Sequence, residues 1–291
     1  MELFLLQFFS GLSKAMFLFL LAAGLSLIFG VTRVINLAHG SLYMVGAYAL
    51  FSLSRVLPST PFQFWIALLI APVVVAALGG LIEVTLLRRV YRSEELYTVL
   101  LTVGLIFLLD GLVRLFWGVQ HFNVPRPEAL AGSIHVLGQA FPTYFLLTLT
   151  LAPAVGLGLW ALFYKTRWGV LVRAAATNRE MVSALGVDVP MLYTSTFVLG
   201  SWLAGLGGAL AAPMVTLEPT MDAAAIIEAL AVVVVGGLGS FAGSLLAAVL
   251  VSEMESFGIL VFPAISLAII FILMAIVLIV RPWGLLGRPE R

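Results

Sequence analysis

The 291-residue chain has no cysteine, three histidines and 10% charged residues. The first absence excludes disulfides, thiolate chemistry and cysteine-ligated metals. His39, His121 and His135 are scattered without metal-ligand spacing. There is no Gly-x-Ser-x-Gly nucleophile motif and no Gly-x-x-x-x-Gly-Lys-Ser/Thr phosphate-binding loop. The chain is therefore read as a non-enzyme that cannot hydrolyse ATP with that machinery, and no cofactor, metal or nucleic acid is expected. Soluble domains carry about a quarter charged residues. Here 62% of residues are hydrophobic and mean hydropathy is +1.16. No soluble fold could bury that much apolar surface, so the solvent is the lipid bilayer.

A helix needs about 20 apolar residues to cross the hydrocarbon core. Candidate spans are 9–31, 39–57, 62–87, 97–119, 141–164, 191–213, a broken stretch near 224–256, and 258–280. Met1 to Gly30 lacks a basic n-region and is too long for a signal peptide, so it reads as a retained span. The reading is an all-α polytopic membrane protein, one domain over 1–291, with about seven full transmembrane helices plus a broken, re-entrant pair.

Lys and Arg in short loops set orientation. Arg88, Arg89 and Arg92, then Lys165, Arg167, Arg173 and Arg179, then Arg281, Arg288 and Arg291 face only Arg55 and Arg126 in the opposing loops. The first three regions are expected in the cytoplasm, with the N-terminus outside and the C-terminus inside. Parity then requires 224–256 to enter and leave on the outer side, and Gly236-Gly237-Leu238-Gly239-Ser240 supplies a break at its middle. A continuous helix would upset that parity. A similar polar interruption runs from Thr32 to Ser41 and includes Asn36, His39, Gly40 and Ser41. Paired breaks are the sequence pointer to a transport pathway. Both stretches are candidate pathway or gate positions, the alternative being tight bends.

In the loop Lys165–Pro190, Thr177 and Glu180 have capping-box spacing and Gly186 stands at a left-handed C-terminal position. Met181, Val182 and Leu185 are expected on one face, with Arg179, Glu180 and Ser183 elsewhere. A helix this short needs a docking surface. It is either a membrane-surface loop or a helix presented to a soluble partner.

Asp110 and Arg114 are four apart, as a structural pair or an ion relay. Glu83 is expected at the cytoplasmic interface, Glu228 as a solvated end-of-helix acid or else a contributor to the outer mouth, and Glu253 and Glu255 at the outer surface beyond the second half-helix. The remaining interior is mainly Gly, Ala, Ser, Leu and Val, an apolar conduit that argues against ion coupling. Gly79-Gly80 and the run Trp202 to Ala212 are read as close helix-packing surfaces.

The run Gly24 to Tyr48, with Ile35-Asn36-Leu37-Ala38-His39-Gly40 followed by Met44-Val45-Gly46-Ala47-Tyr48, closely resembles the LivH-like permeases of branched-chain amino acid ABC importers. Asn178 to Gly186, Gly200 to Pro213 and Val234 to Gly243 agree in order and spacing. The resemblance implies a prokaryotic plasma (inner) membrane and a set of partners: a second, LivM-like permease, two cytoplasmic ATP-binding subunits and an extracytoplasmic solute-binding protein. It implies alternating access, and a coupling helix formed by Thr177, Asn178, Arg179, Glu180, Met181, Leu185 and Gly186. The frequent Glu-Ala-Ala-x-x-x-Gly marker is altered: Ala174-Ala175-Ala176 lacks the Glu, and Gly186 comes ten residues after Ala176. Similar-looking permeases carry urea, short amides or other amino acids. The rival reading is a stand-alone channel or secondary transporter.

Overall fold

A computed structural model describes residues 2–58, 60–91, 93–136, 139–261 and 263–287. Arg92, Arg288 and Arg291 lie outside the described residues. Twelve helices are described: α1 (Glu2–Thr32), α2 (His39–Val56), α3 (Gln63–Ile82), α4 (Arg88–Val90), α5 (Glu95–Trp117), α6 (Tyr144–Lys165), α7 (Arg167–Thr177), α8 (Arg179–Ala184), α9 (Val189–Ala211), α10 (Met221–Gly236), α11 (Phe241–Val261) and α12 (Ser266–Val280). A π-helical turn, Glu83–Leu87, joins α3 to α4. A hairpin of β1 (Ser133–Val136) and β2 (Gln139–Pro142), which the sequence reading does not include, pairs Ser133 with Pro142.

Six helical stretches among the described residues are long and apolar enough to cross a membrane: Phe4–Thr32, Gln63–Val90, Leu96–Trp117, Tyr144–Lys165, Val189–Ala211 and Phe241–Val261. Ala268–Val280 is apolar but shorter. α1 is the central element, with 83% of its apolar window buried, against 22% for α5 and 17% for α6. α5 therefore shows Phe107, Leu115 and Phe116 to its surroundings, an arrangement suited to a lipid solvent.

Helix α9 packs on α1, α2 and α3 through small residues. A Cβ at Gly200 would crowd Ile28 and the Gly24 carbonyl, one at Gly46 would overlap Gly205, and one at Gly208 would overlap the Tyr43 carbonyl. Lipid tails are as apolar as leucine, so association between spans relies on such close backbone approach.

The bundle has two chemically different ends. At one, Leu27, Val31, Phe163, Val172, Ala175, Val182, Val189, Leu192 and Tyr193 form an apolar cluster against Tyr91 and Phe241. Arg88 and Arg89 in α4, Lys165 at the end of α6, Arg167 and Arg173 in α7 and Arg179 in α8 belong to the helices at or beside this end. At the other, Arg55 lies over Phe51 and Phe122, Phe122 bridges Leu217, and Phe9 meets Phe141.

The stretch 224–256 is divided into two helices, as the glycines predict, but the break does not stop at mid-bundle. Gly239 lies against Gly30 near the end of α1, and Gly237 against Trp283, Gly284 and Gly287. Replacing Gly208 with Val should push α2 from α9 and destabilise the protein by about 1–3 kcal/mol. The same change at Gly104, which faces open space, should be near neutral in a thermal unfolding assay.

Candidate functional site

Two helices occupy the loop 165–190. Thr166 caps α7 by accepting from the Gly169 N–H at 3.2 Å. Arg173 folds back on the Phe163 carbonyl and lies over Tyr164, while Lys165 lies over Trp160. The Trp168 indole donates to Ser195 Oγ on α9 at 2.9 Å.

The start of α8 differs from the capping box expected at Thr177. Thr177 closes α7, its hydroxyl donating to the Arg173 carbonyl at 3.1 Å. Asn178 is the N-cap, its Oδ1 accepting from the Met181 N–H at 2.9 Å. Both residue types can cap, and the preceding α7 takes Thr177 into its last turn. The other end follows expectation: Gly186 has φ 83°, with Gly186 N–H to Ser183 O at 3.0 Å and Val187 N–H to Val182 O at 3.3 Å. Those two bonds are a Schellman motif.

Met181, Val182 and Leu185 do not share one environment. Val182 is buried in the apolar cluster, whereas Met181 is 60% and Leu185 76% exposed. Neighbouring helical residues differ by about 100° in direction, so one narrow contact cannot take both Met181 and Val182. Arg179, Glu180 and Gly186 are exposed as well. A cleft of about 380 Å³ opens between Val31, Thr32 and Arg33, the stretch 175–180, and Tyr193.

The first break climbs back along α1. The ring of His39, the first residue of α2, donates from Nε2 to the Leu21 carbonyl at 3.1 Å. Leu21 lies eleven residues before Thr32, roughly 16 Å of helix. Buried Asn36 serves the turn, its Oδ1 accepting from Ala38 N–H and its carbonyl from His39 N–H, each at 3.2 Å. Gly40 admits the Asp222 backbone, and Ser41 Oγ donates to Asp222 Oδ2 at 2.7 Å.

The second break is closed by the tail. Leu285 N–H bonds the Val235 carbonyl at 2.8 Å and Leu286 N–H the Gly236 carbonyl at 3.1 Å. Gly237 (φ 101°) and Gly239 (φ 79°) make the turn, and Ser240 Oγ accepts from Gly243 N–H at 3.1 Å. The two sequence-predicted stretches thus meet opposite ends of α10 rather than one another.

Several charges within the bundle depart from expectation. Lys14, unremarked in the sequence reading, bonds Glu228 at 3.0 Å and Glu255 at 2.5 Å, tying α1 to α10 and α11. Glu228 is therefore no solvated end. α11 continues to Val261, so Glu253 and Glu255 lie within it and not beyond it. The missed signal is an isolated lysine inside an apolar span, which calls for a carboxylate partner. Glu83 is fully buried, held by Arg88 and Thr194. Arg114 grips Asp110 through Nε at 3.0 and 3.1 Å.

Membrane-length helices, two internal breaks and a short helix displayed beyond the spans define a polytopic membrane transport protein. The chain belongs to the family described as branched-chain amino acid transport system / permease component, whose profile matches residues 7–278. It is 28% identical to the high-affinity branched-chain amino acid transport system permease protein BraD of Pseudomonas aeruginosa, over 99% of this chain and 97% of that protein. Identity to LivH of Escherichia coli K12 is 28%, over 99% and 96%. The probable branched-chain amino acid transport permease LivH of Methanocaldococcus jannaschii is 28% identical, over 93% and 88%. No solved structure matches the chain.

Replacing Lys14 with Met should cost about 1–3 kcal/mol, because two half-buried carboxylates lose their cation. Thermal unfolding in detergent should show the loss. The triple variant Lys14→Met, Glu228→Gln, Glu255→Gln should recover most of it.

Proposed function

We propose that this permease is the membrane-spanning subunit of an ATP-driven importer of branched-chain amino acids, working by alternating access, with α8 as the contact through which a cytoplasmic ATP-binding subunit drives it. One observation carries the reading: α8 is anchored by buried Val182 and a complete set of end caps, yet presents Met181, Leu185, Arg179 and Glu180 outward. A short helix is not stable alone, and this one is fixed on one side with a mixed apolar and charged face left free for a partner. The partners are a second, LivM-like permease, two ATP-binding subunits and an extracytoplasmic solute-binding protein. The substrate class rests on the family and on relatives named for branched-chain amino acids.

The basic end of the bundle faces the cytoplasm in this reading, with the N-terminus outside and the C-terminus inside, in a prokaryotic plasma (inner) membrane. The absence of native cysteine makes the orientation directly testable. Arg126→Cys should react with a membrane-impermeant maleimide on intact cells, and Arg89→Cys only after permeabilisation. The reverse pattern would invert the topology.

Energy enters such a cycle only through differential contacts with its two conformations. In the reconstituted complex, Leu185→Ala and Glu180→Ala should each lower uptake per ATP hydrolysed about tenfold without reducing the folded yield. Wild-type transport in both, or transport by the isolated chain in liposomes without ATP, would sink this reading.

A further inference from the structure

Glu83 lies at the point where α3 departs from α-helical geometry, in the π-helical turn Glu83–Leu87. Such turns occur frequently at functional sites, and an ionisable residue within a span is costly enough to need a reason. Glu83 is 0% exposed. Its Oε2 accepts from Thr194 Oγ1 at 2.7 Å and from Arg88 Nη2 at 3.3 Å, and the same Nη2 reaches Thr194 Oγ1.

Thr194 stands in the second turn of α9, just after the loop that bears α8. That junction is stiff. Asp188 Oδ1 caps α9 by accepting from Met191 N–H at 3.0 Å, and Val189, Leu192 and Tyr193 share the apolar cluster of Val182. Tyr91 packs edge-on against Tyr193 at 5.8 Å. A displacement of α8 is therefore delivered to the first turns of α9, where Thr194 holds Glu83. Farther along, Gly79 admits Ser201 and Gly80 admits Val198, so α3 and α9 interlock beyond the polar contact.

The cluster also holds unused bonding capacity. Arg88 Nε has no hydrogen-bond partner among the described residues, and the Tyr91 hydroxyl faces the Glu83 carboxylate. Burial, with the Glu83 carboxylate nearby, holds the Tyr91 phenol above its ordinary value. A purely static ion pair would be expected to satisfy such groups. With Thr194, Arg88 and Tyr91 around it, the carboxylate has several donors among which to exchange partners as α9 shifts. Two discrete arrangements are what a conformational switch requires.

We propose that Glu83, with Arg88 and Thr194, is a positioning joint that carries movement of the 165–190 loop from α9 into α3. The proposal rests on the reading of that loop as the contact with the ATP-binding subunit. The test uses the full transporter with its partner subunits in proteoliposomes, measuring amount of assembled complex, ATP hydrolysis and uptake per ATP. Glu83→Gln removes the charge and Thr194→Val removes the hydroxyl. Both should assemble and hydrolyse ATP normally while uptake per ATP falls about tenfold, and Thr194→Ser should restore it.

A merely structural role would lower assembly, hydrolysis and uptake together and leave the ratio unchanged; that result overturns the joint. If Glu83→Gln fails to assemble, the Thr194→Val and Thr194→Ser pair decides alone. Leu185→Ala in the same preparation separates the two readings. A lowered ratio in Leu185→Ala with a wild-type ratio in Thr194→Val refutes the joint and leaves the loop reading standing. Unchanged ratios in both refute the loop reading, and the joint with it.

Discussion

The structure depends on the close approach of α9 to three neighbours. Gly200, Gly205 and Gly208 let α9 meet α1, α2 and α3 almost backbone to backbone. In water such helices would be held by removing leucines from solvent. In lipid that drive is absent, and cohesion comes from dispersion over closely matched surfaces. A close-packed interface is bistable rather than compliant. α9 begins at the exit of the 165–190 loop, so the helix gripping the bundle is also the one into which the loop bearing α8 leads.

The two breaks obey a second constraint: every backbone group freed from a helix at membrane depth needs a partner. Around Arg33 to Ala38 the partners are local. Arg33 N–H returns to Phe29 O, Val34 N–H uses Thr32 Oγ1, and Asn36 closes the turn. At Gly236 they are remote, because Leu285 and Leu286 arrive from the far side of α12. The tail after α12 thereby becomes part of the break it covers, and α10 spans the distance between the two irregular regions.

The features readable in the sequence are those encoded within one turn or one span. Apolar length located the long helices, glycines located the break at Gly237–Ser240, and Gly186 located the end of α8. The start of α8 shifted by one residue because Thr177 and Asn178 are both capable caps and only the length of α7 chooses between them. Pairings between spans were not readable. Lys14 meets acids 214 and 241 residues away, and without them Glu253 and Glu255 look like a polar helix end. The Thr194 partner of Glu83 was equally out of reach, 111 residues on.

Those pairings bear on how the interior handles charge. The Lys14, Glu83 and Asp222 clusters join different helices, α1 to α10 and α11, α3 to α9, and α2 to α10. A proton or ion relay requires carboxylates or histidines in succession through the membrane. Here each of Glu228, Glu255, Glu83 and Asp222 is bonded to a partner on another helix, and two of the clusters sit where helical geometry is interrupted: Asp222 at the start of α10 and Glu83 in the π turn. Their placement is that of fasteners at mechanical weak points. Cutting a regular helix frees it to bend, and a buried hydrogen-bonded carboxylate at the cut restricts that freedom to a few defined arrangements. A permease moved by an external motor needs that combination of local compliance and discrete positions, whereas an ion-coupled carrier needs its charges to communicate.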